Sequence, residues 1–350
     1  MSCLENTLYL FGPELDKALP QLNQTNLNHI KTVVIDDHFD FEMYSHLDRI
    51  LPRSAEVFSD FFFDTVCDRI QPFPAWLAYH DFTPMIQLDY SPGQTVDCFN
   101  FIVNKARPWR VFAVKLLEYF NLTTQCYTLN SAANYFLNDA IVYQGRVSQI
   151  KKFFSCMKEK DGLPKKFKPR MFGKSFGYED RVRSWNSFLK SLVFSPSAIA
   201  IITEPYEITW IDHLTYSEKT IYAMLGLNFP LWVGGGIGQA DTWKSVGFDV
   251  FDDVIDHSYQ YHKDPVERSF YAVHDNLQIL YDVGLASTLR EKYLSRLVAN
   301  QQLCYGENLK AWLQAKLKLI DDKQIQQGLY NYATRPMSWQ APVNTTNKIQ

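Results

Sequence analysis

The 350-residue sequence predicts an α/β fold of two domains with mostly parallel sheets and a helical C-terminal extension. Three observations carry that expectation. Strand-like and helix-like segments alternate along most of the chain, the pattern that builds parallel sheets. The strongest apolar run, 198–202, is continuous rather than alternating, as in strands buried on both faces. The length is about twice that of a typical single domain, and the chain changes character near residue 190. The expected division is an α/β domain over 1–190, a second over 191–300, and helices over 301–340.

The elements follow in order. Lys31, Thr32, Val33, Val34 and Ile35 form a β-branched strand that stops at Asp36-Asp37-His38. A second strand, 75–79, ends at His80-Asp81. A third, 96–103, leads through Asn104-Lys105-Ala106-Arg107-Pro108-Trp109-Arg110 into an apolar helix over 111–120, with Pro108 suited to its first turn. Residues 126–129 give a strand, 187–194 a helix, and 198–202 the buried strand. Ser217-Glu218-Lys219 opens a helix to about 227, and 229–233 returns as a strand. Gly234, Gly235, Gly236 and Gly238 then lead into a short helix that stops near Gly247, and 248–251 reads as a further short strand. From Lys263 the chain is helical, with apolar Phe270, Val273, Leu277 and Leu280. Gly284 is the expected interruption and Ser287 the expected N-cap of a helix to about 300. A last helix falls over 309–319, and the polar residues after 336 are expected to fray.

Composition narrows the class. At 46% hydrophobic and 21% charged, the chain is neither disordered, collagen-like nor a coiled coil. No apolar stretch approaches the length of a membrane span. The first residues carry neither a basic nor an apolar signal region, so a cytoplasmic protein is expected. Six scattered cysteines without a C-x-x-C pair argue against a zinc ribbon or a disulfide framework.

Charge is uneven. The formal net charge is −3, yet residues 146–190 hold 13 basic and 4 acidic side chains, leaving −12 for the remainder. Phe153, Phe154, Phe167, Phe172, Phe176, Tyr178 and Trp185 lie among those basic residues. Such a patch attracts a polyanion, and interleaved aromatics can stack on bases. A solvated surface with a charged helix face is the plain alternative.

The glycine cluster follows a strand and precedes a helix, where backbone N–H groups and a helix N-terminus can receive an anion. It does not match G-x-G-x-x-G, and the chain has neither a Walker A sequence nor G-x-S-x-G. A dinucleotide oxidoreductase, a P-loop kinase and an α/β serine hydrolase therefore lack support. Ser217 and Glu218 are ordinary residues for a helix start. Lys219 opposes the helix dipole there, which makes sense if an anion shares the site.

Three stretches, Ala198-Ile199-Ala200-Ile201-Ile202-Thr203-Glu204, Tyr216-Ser217-Glu218-Lys219-Thr220 and Pro230-Leu231-Trp232-Val233-Gly234-Gly235, resemble the donor-binding half of GT-B glycosyltransferases, which are built of two Rossmann-like domains. The likeness is to a group common in phages and large viruses, and to the Glu-Lys motif of inverting fucosyltransferases. Residues 247–259 resemble the tail of that viral-type group, and 104–110 its strand–Asn–Arg–helix element, with Asn104 at its head. Pro205 stands where fucosyltransferases have Asn, and His257 where the viral-type pattern has Glu.

The resemblance implies that Glu218, following Ser217, binds the donor ribose and Lys219 its diphosphate, with Gly234 and Gly235 beside them. It further implies Glu204 near the donor and Arg107 or Arg110 neutralising the leaving phosphate. It implies no bound cofactor or metal, only a nucleotide-diphosphate sugar as co-substrate. Fixed cations stabilise the charge that builds on the departing diphosphate, and an inverting transfer needs a base for the acceptor hydroxyl. Ligands in open α/β sheets bind beyond the carboxyl ends of strands. That rule selects Asp37, with Asp36 and His38, and also His80 and Asp81. Asp36-Asp37 admits a metal-dependent GT-A reading as well, since paired acids can hold a divalent ion.

Three readings of the acceptor stay open. A hydroxymethylated base in phage-type double-stranded DNA would place Lys151, Lys152, Lys165, Lys166, Lys168, Arg170 and Lys174 along the phosphate backbone. A glycan or protein hydroxyl is the second. A non-catalytic nucleotide- or DNA-binding module is the third.

Overall fold

The computed structural model describes residues 2–4, 7–11, 27–36, 49–59, 61–63, 70–72, 85–103, 112–113, 116–117, 119–122, 126–129, 185–203, 213–215, 218–305 and 311. The chain divides into two compact units, one of residues 1–82 with 306–350, the other of residues 83–305. The sequence reading divides it near 190 instead. Strands from 97–103 and 126–129 belong to one sheet with strands from the chain's second half, and this pairing across some hundred residues leaves no local trace.

The first unit holds strands β1 (Ser2–Leu4), β2 (Thr7–Phe11), β3 (Thr32–Asp36), β4 (Glu56–Ser59), β5 (Phe61–Phe63) and β6 (Ile70–Pro72). Five of them form a sheet in the order β1-β2-β3-β4-β6, antiparallel only between β1 and β2. Leu8, Val33 and Val57 are buried at its centre. The strand expected over 31–35 is β3, which ends at Asp36. The strand expected over 75–79 lies outside the described residues.

The second unit is built on a four-stranded, wholly parallel sheet of β7 (Asp97–Val103), β8 (Cys126–Leu129), β9 (Ser197–Ile202) and β11 (Phe229–Trp232), ordered β11-β9-β7-β8. A further short strand, β10, spans His213–Thr215. Every residue of β9 is buried, as the unbroken apolar run requires of an inner parallel strand. Phe112, Ala113, Leu116 and Leu117 are helical and buried, in the helix expected after β7.

Helix α1 (Trp185–Phe194) is wound wider than an α-helix and begins two residues before the predicted start. It is followed by α2 (Glu218–Leu225) and α3 (Gln239–Val246). Gly247 ends α3 at φ 104°, the left-handed conformation that glycine adopts without a Cβ penalty, and its N–H returns to the Lys244 carbonyl at 2.8 Å.

The strand expected over 248–251 does not form. Much of its backbone is satisfied by side chains: Asn300 accepts from Asp249 N–H at 2.9 Å and donates to its carbonyl at 2.6 Å. Asp249 accepts from Phe251 N–H at 2.9 Å, and Phe251 sits at φ 62°, which no strand tolerates. Arg296 fixes the same loop through Asp249 and Asp253.

The C-terminal helices are α4 (Pro265–His274), α5 (Leu277–Tyr281), α6 (Val283–Lys292) and α7 (Leu294–Leu303). Asp264 caps α4 and Asp282 caps α6. Gly284 therefore lies inside α6 rather than at a break, and Ser287 is no cap, because Asp282 satisfies the orphan N–H of Leu285. The helix predicted over 309–319 lies outside the described residues except Ala311, which is helical. Among the described residues no helix is long and apolar enough to cross a membrane.

Arg290 of α6 ties the amino ends of the sheet together. Fully buried, it donates to the carbonyls of Phe194, Ser195, Gly226 and Leu227 and to the Thr95 hydroxyl, at 2.6–3.2 Å. These acceptors immediately precede β7, β9 and β11. The guanidinium also lies 4.5 Å from the Tyr90 ring centre. Carbonyl dipoles and a π-face thus replace the water that this cation gives up.

Candidate functional site at the carboxyl edge of the second sheet

Because all four strands run parallel, β7, β8, β9 and β11 end on one edge, where ligands of open α/β sheets bind. β9 ends at Ile202 and passes to Thr203, which is fully buried and whose hydroxyl has no partner among the described residues. β11 ends at Trp232 and passes through Val233, whose N–H bonds the Ile202 carbonyl at 2.8 Å, into the glycine turn. β7 ends at Val103, the residue before Asn104.

Helix α2 begins at this edge. Glu218 is its first residue and Lys219, half-buried, its second. The indole Nε1–H of Trp232 donates to the Thr220 hydroxyl at 3.0 Å. That bond fixes the first turn of α2, with Lys219, beside the end of β11 two residues ahead of Gly234.

The glycine turn has a definite geometry. Gly234 and Gly235 stand at φ 103° and 134°, open to glycine and strained for other residues. Gly234 is buried, yet a Cβ built on it would meet nothing within 4 Å. Among the described residues no acceptor pairs with the N–H groups of Gly234, Gly235 or Gly236. Successive unpaired N–H groups suit an anion. The adjoining helix N-terminus contributes less than the sequence implies, because Gln260 Oε1 already accepts from Ala240 N–H at 2.9 Å and lies 3.4 Å from Asp241 N.

A buried polar chain supports the end of β11. His257 Nε2 lies 2.9 Å from the Val250 carbonyl, which can only accept, so that nitrogen carries the proton. His257 Nδ1 then accepts from the Tyr259 hydroxyl at 3.2 Å, whose oxygen accepts from Trp232 N–H, also at 3.2 Å. Burial holds the His257 pKa below its ordinary value and pushes that of Tyr259 up, so both stay neutral. His257, at the position where the resembled family carries Glu, is thereby a structural residue of this edge.

Of the predicted donor residues, Glu218 and Lys219 open α2, and Gly234 and Gly235 form the turn after β11. Ser217, Glu204, Asn104, Arg107 and Arg110 lie outside the described residues. So do Asp37 and His38; Asp36 is the last residue of β3 in the first unit, paired with Phe11. Lys151, Lys152, Lys165, Lys166, Lys168, Arg170 and Lys174 also lie outside them, and of the basic segment only 185–190 is described. Among the described residues no group of three or more His, Cys, Asp or Glu is disposed to hold a metal.

Sequence reasoning did not single out Thr203, Thr220, Trp232, Tyr259, Gln260 or Arg268. The first four stand in runs already quoted for the resemblance, which was the available signal. Gln260 acts on the first turn of α3 from 20 residues away and Arg268 on the glycine turn from 33 residues away, and neither carries a local mark.

Three solved structures to which the chain is similar are glycosyltransferases. One, from Rickettsia africae, is similar at 10% identity over 91% of this chain and 81% of that one, with a TM-score of 0.35. Another is AviGT4, involved in avilamycin A biosynthesis, at 11% identity over 83% and 78%, with a TM-score of 0.28. The third is T4 phage BGT, solved with its UDP-glucose substrate, at 11% identity over 90% and 100%, with a TM-score of 0.37. These likenesses are distant. No family model matches the chain, and no curated protein sequence does.

Proposed function

We propose that the protein is a glycosyltransferase of GT-B type that moves a sugar from a nucleotide-diphosphate donor to an acceptor hydroxyl. The observation that carries this reading is the tie between Trp232 and Thr220, which brings the Glu218-Lys219 helix start and the unpaired glycine N–H groups to one sheet edge. Lys219 and the glycine turn receive the diphosphate, and Glu218 the ribose hydroxyls. The charge that develops on the departing diphosphate is met by a fixed ammonium and fixed N–H dipoles that need no reorganisation during the reaction. Arg107 or Arg110 adds a second cation, and Asp37, with Asp36 or His38 as substitutes, takes the acceptor proton.

For the acceptor we favour a hydroxymethylated base in duplex DNA, supported by the concentration of positive charge over 146–190 within an acidic chain. A thermal-shift series with nucleoside diphosphates and their sugars tests the donor assignment, since a ligand bound only to the native state raises Tm. Turnover of the matching sugar with hydroxymethylated duplex, but not with unmodified duplex, supports the full reading. Turnover only with glycans or proteins overturns the DNA acceptor, and donor binding without turnover on any acceptor overturns catalysis. Charge reversal at Lys165, Lys166 and Lys168 is expected to abolish duplex binding and its salt dependence.

A further inference from the structure

Arg268 of α4 is buried, 3% exposed, and reaches the glycine turn from behind. Its Nε donates to the Gly235 carbonyl at 3.0 Å, and its Nη1 donates to the His262 carbonyl. Every peptide bond here is trans, so the C=O of Gly235 and the N–H of Gly236 point in opposite directions. With that carbonyl held against Arg268, the Gly236 N–H is turned away from α4. Gly236 is itself buried, and its N–H has no acceptor among the described residues, an uncommon state for a buried backbone donor. Gly235 adopts φ 134°, a backbone conformation strained for any residue with a Cβ, although a Cβ there would meet Gln239 only in ordinary contact at 3.4 Å.

We infer that Arg268 is a positioning residue of the donor site: by holding the Gly235 carbonyl, it aims the Gly236 N–H at the diphosphate. This rests on the donor reading above. The guanidinium acts through the peptide and not on the ligand, so its removal should weaken diphosphate binding without changing how many charges face the anion. A residue with a merely structural role would lower Tm and leave the affinity of the folded protein untouched.

The test is calorimetric titration of the full chain with inorganic pyrophosphate at several salt concentrations, at a temperature where near-ultraviolet circular dichroism shows each variant folded. Lys219→Ala is expected to raise Kd at least tenfold and to flatten its salt dependence, because a charge facing the anion is lost. Arg268→Met is expected to raise Kd about tenfold, equivalent to about 1.4 kcal/mol, with the wild-type salt dependence retained. Should Arg268→Met not fold, Arg268→Lys takes its place, with an expected rise of about threefold, because a single amine cannot hold both carbonyls in the planar fork. A wild-type Kd in the folded Arg268 variant overturns the positioning role. A weakened Kd with a flattened salt dependence also overturns it, since Arg268 then contacts the anion directly. Absence of pyrophosphate binding in the wild type, or its full retention in Lys219→Ala, overturns the donor reading and the Arg268 role with it.

Discussion

The indole N–H of Trp232 donates to the hydroxyl of Thr220 across 3.0 Å, with neither side chain exposed. This one bond joins the end of β11 to the first turn of α2. Thr220→Val keeps the shape but strands the indole N–H in the interior, at a cost of about 1–3 kcal/mol. Urea denaturation should show that loss, and Thr220→Ser should recover most of it. Equal stability of the valine variant would contradict the importance of the tie.

Arg290 predicts a larger effect. Replacing it with Met removes five hydrogen bonds at the amino edge of the sheet, and of their acceptors only the Phe194 carbonyl and the Thr95 hydroxyl keep a second partner, Asn228 and Tyr90, among those described. Loss of a buried, fully bonded ionic group belongs to the severe class of substitutions, and at least about 3 kcal/mol is expected. Arg290→Lys should restore little, because a single ammonium cannot span acceptors arranged around a planar fork. Equilibrium denaturation of the two variants measures both statements.

His257 makes stability depend on pH. The folded chain holds it below the ordinary value of 6.5, chiefly through burial, while the unfolded chain takes up its proton near 6.5. As pH falls through that value the unfolded state binds more protons, so stability is full above it and declines below it. The slope is at most about 1.4 kcal/mol per pH unit for this one proton, down to the folded-state pKa. His257→Gln should flatten the stability profile between pH 7 and 5 by that amount. Parallel profiles for wild type and variant would contradict the neutral, buried histidine.

What could be read from the chain follows from which forces are local. The unbroken run of β9, the β-branched β3 and the glycine that ends α3 declare themselves through side-chain pattern and backbone freedom alone. Phe248, Val250 and Phe251 mimic a strand because all three are buried, but the backbone of this stretch is held largely by side chains, Asn300 at Asp249, Asp249 at Phe251 and His257 at Val250, a solution that no alternation reveals. Glycine is a poor helix former, which makes Gly284 look like the helix break. Asp282 overrides that small cost by capping α6 and is itself the junction between α5 and α6, while Asn276, which spends its amide on the Asp256 backbone and the Ala272 carbonyl, occupies the junction between α4 and α5. At the site, Glu218, Lys219 and the glycines were visible in sequence. Gln260, which holds the first turn of α3, and Arg268, which holds the glycine turn, were not, because each reaches its partner only after the chain has folded back.

Cys98 and Cys304 should behave as inert thiols. Both are buried; burial, then Asp282 and Asp97, push Cys98 up to about 11, and burial alone raises Cys304. The thiolate is the reactive form, so iodoacetamide at pH 8 should leave both unmodified in the native protein and label both after denaturation, as peptide mass mapping can establish. Native labelling of either would contradict its burial.

The central claim is that the Glu218-Lys219 helix start grips a nucleoside diphosphate. Its most direct test is titration of uridine, guanosine, adenosine and thymidine diphosphates into the wild type and into Glu218→Ala and Lys219→Ala, each confirmed folded. The account predicts saturable binding of at least one of them to the wild type and a loss of at least about tenfold, or about 1.4 kcal/mol, in each variant. Wild-type affinity in both variants, or no binding of any of the four, would contradict it.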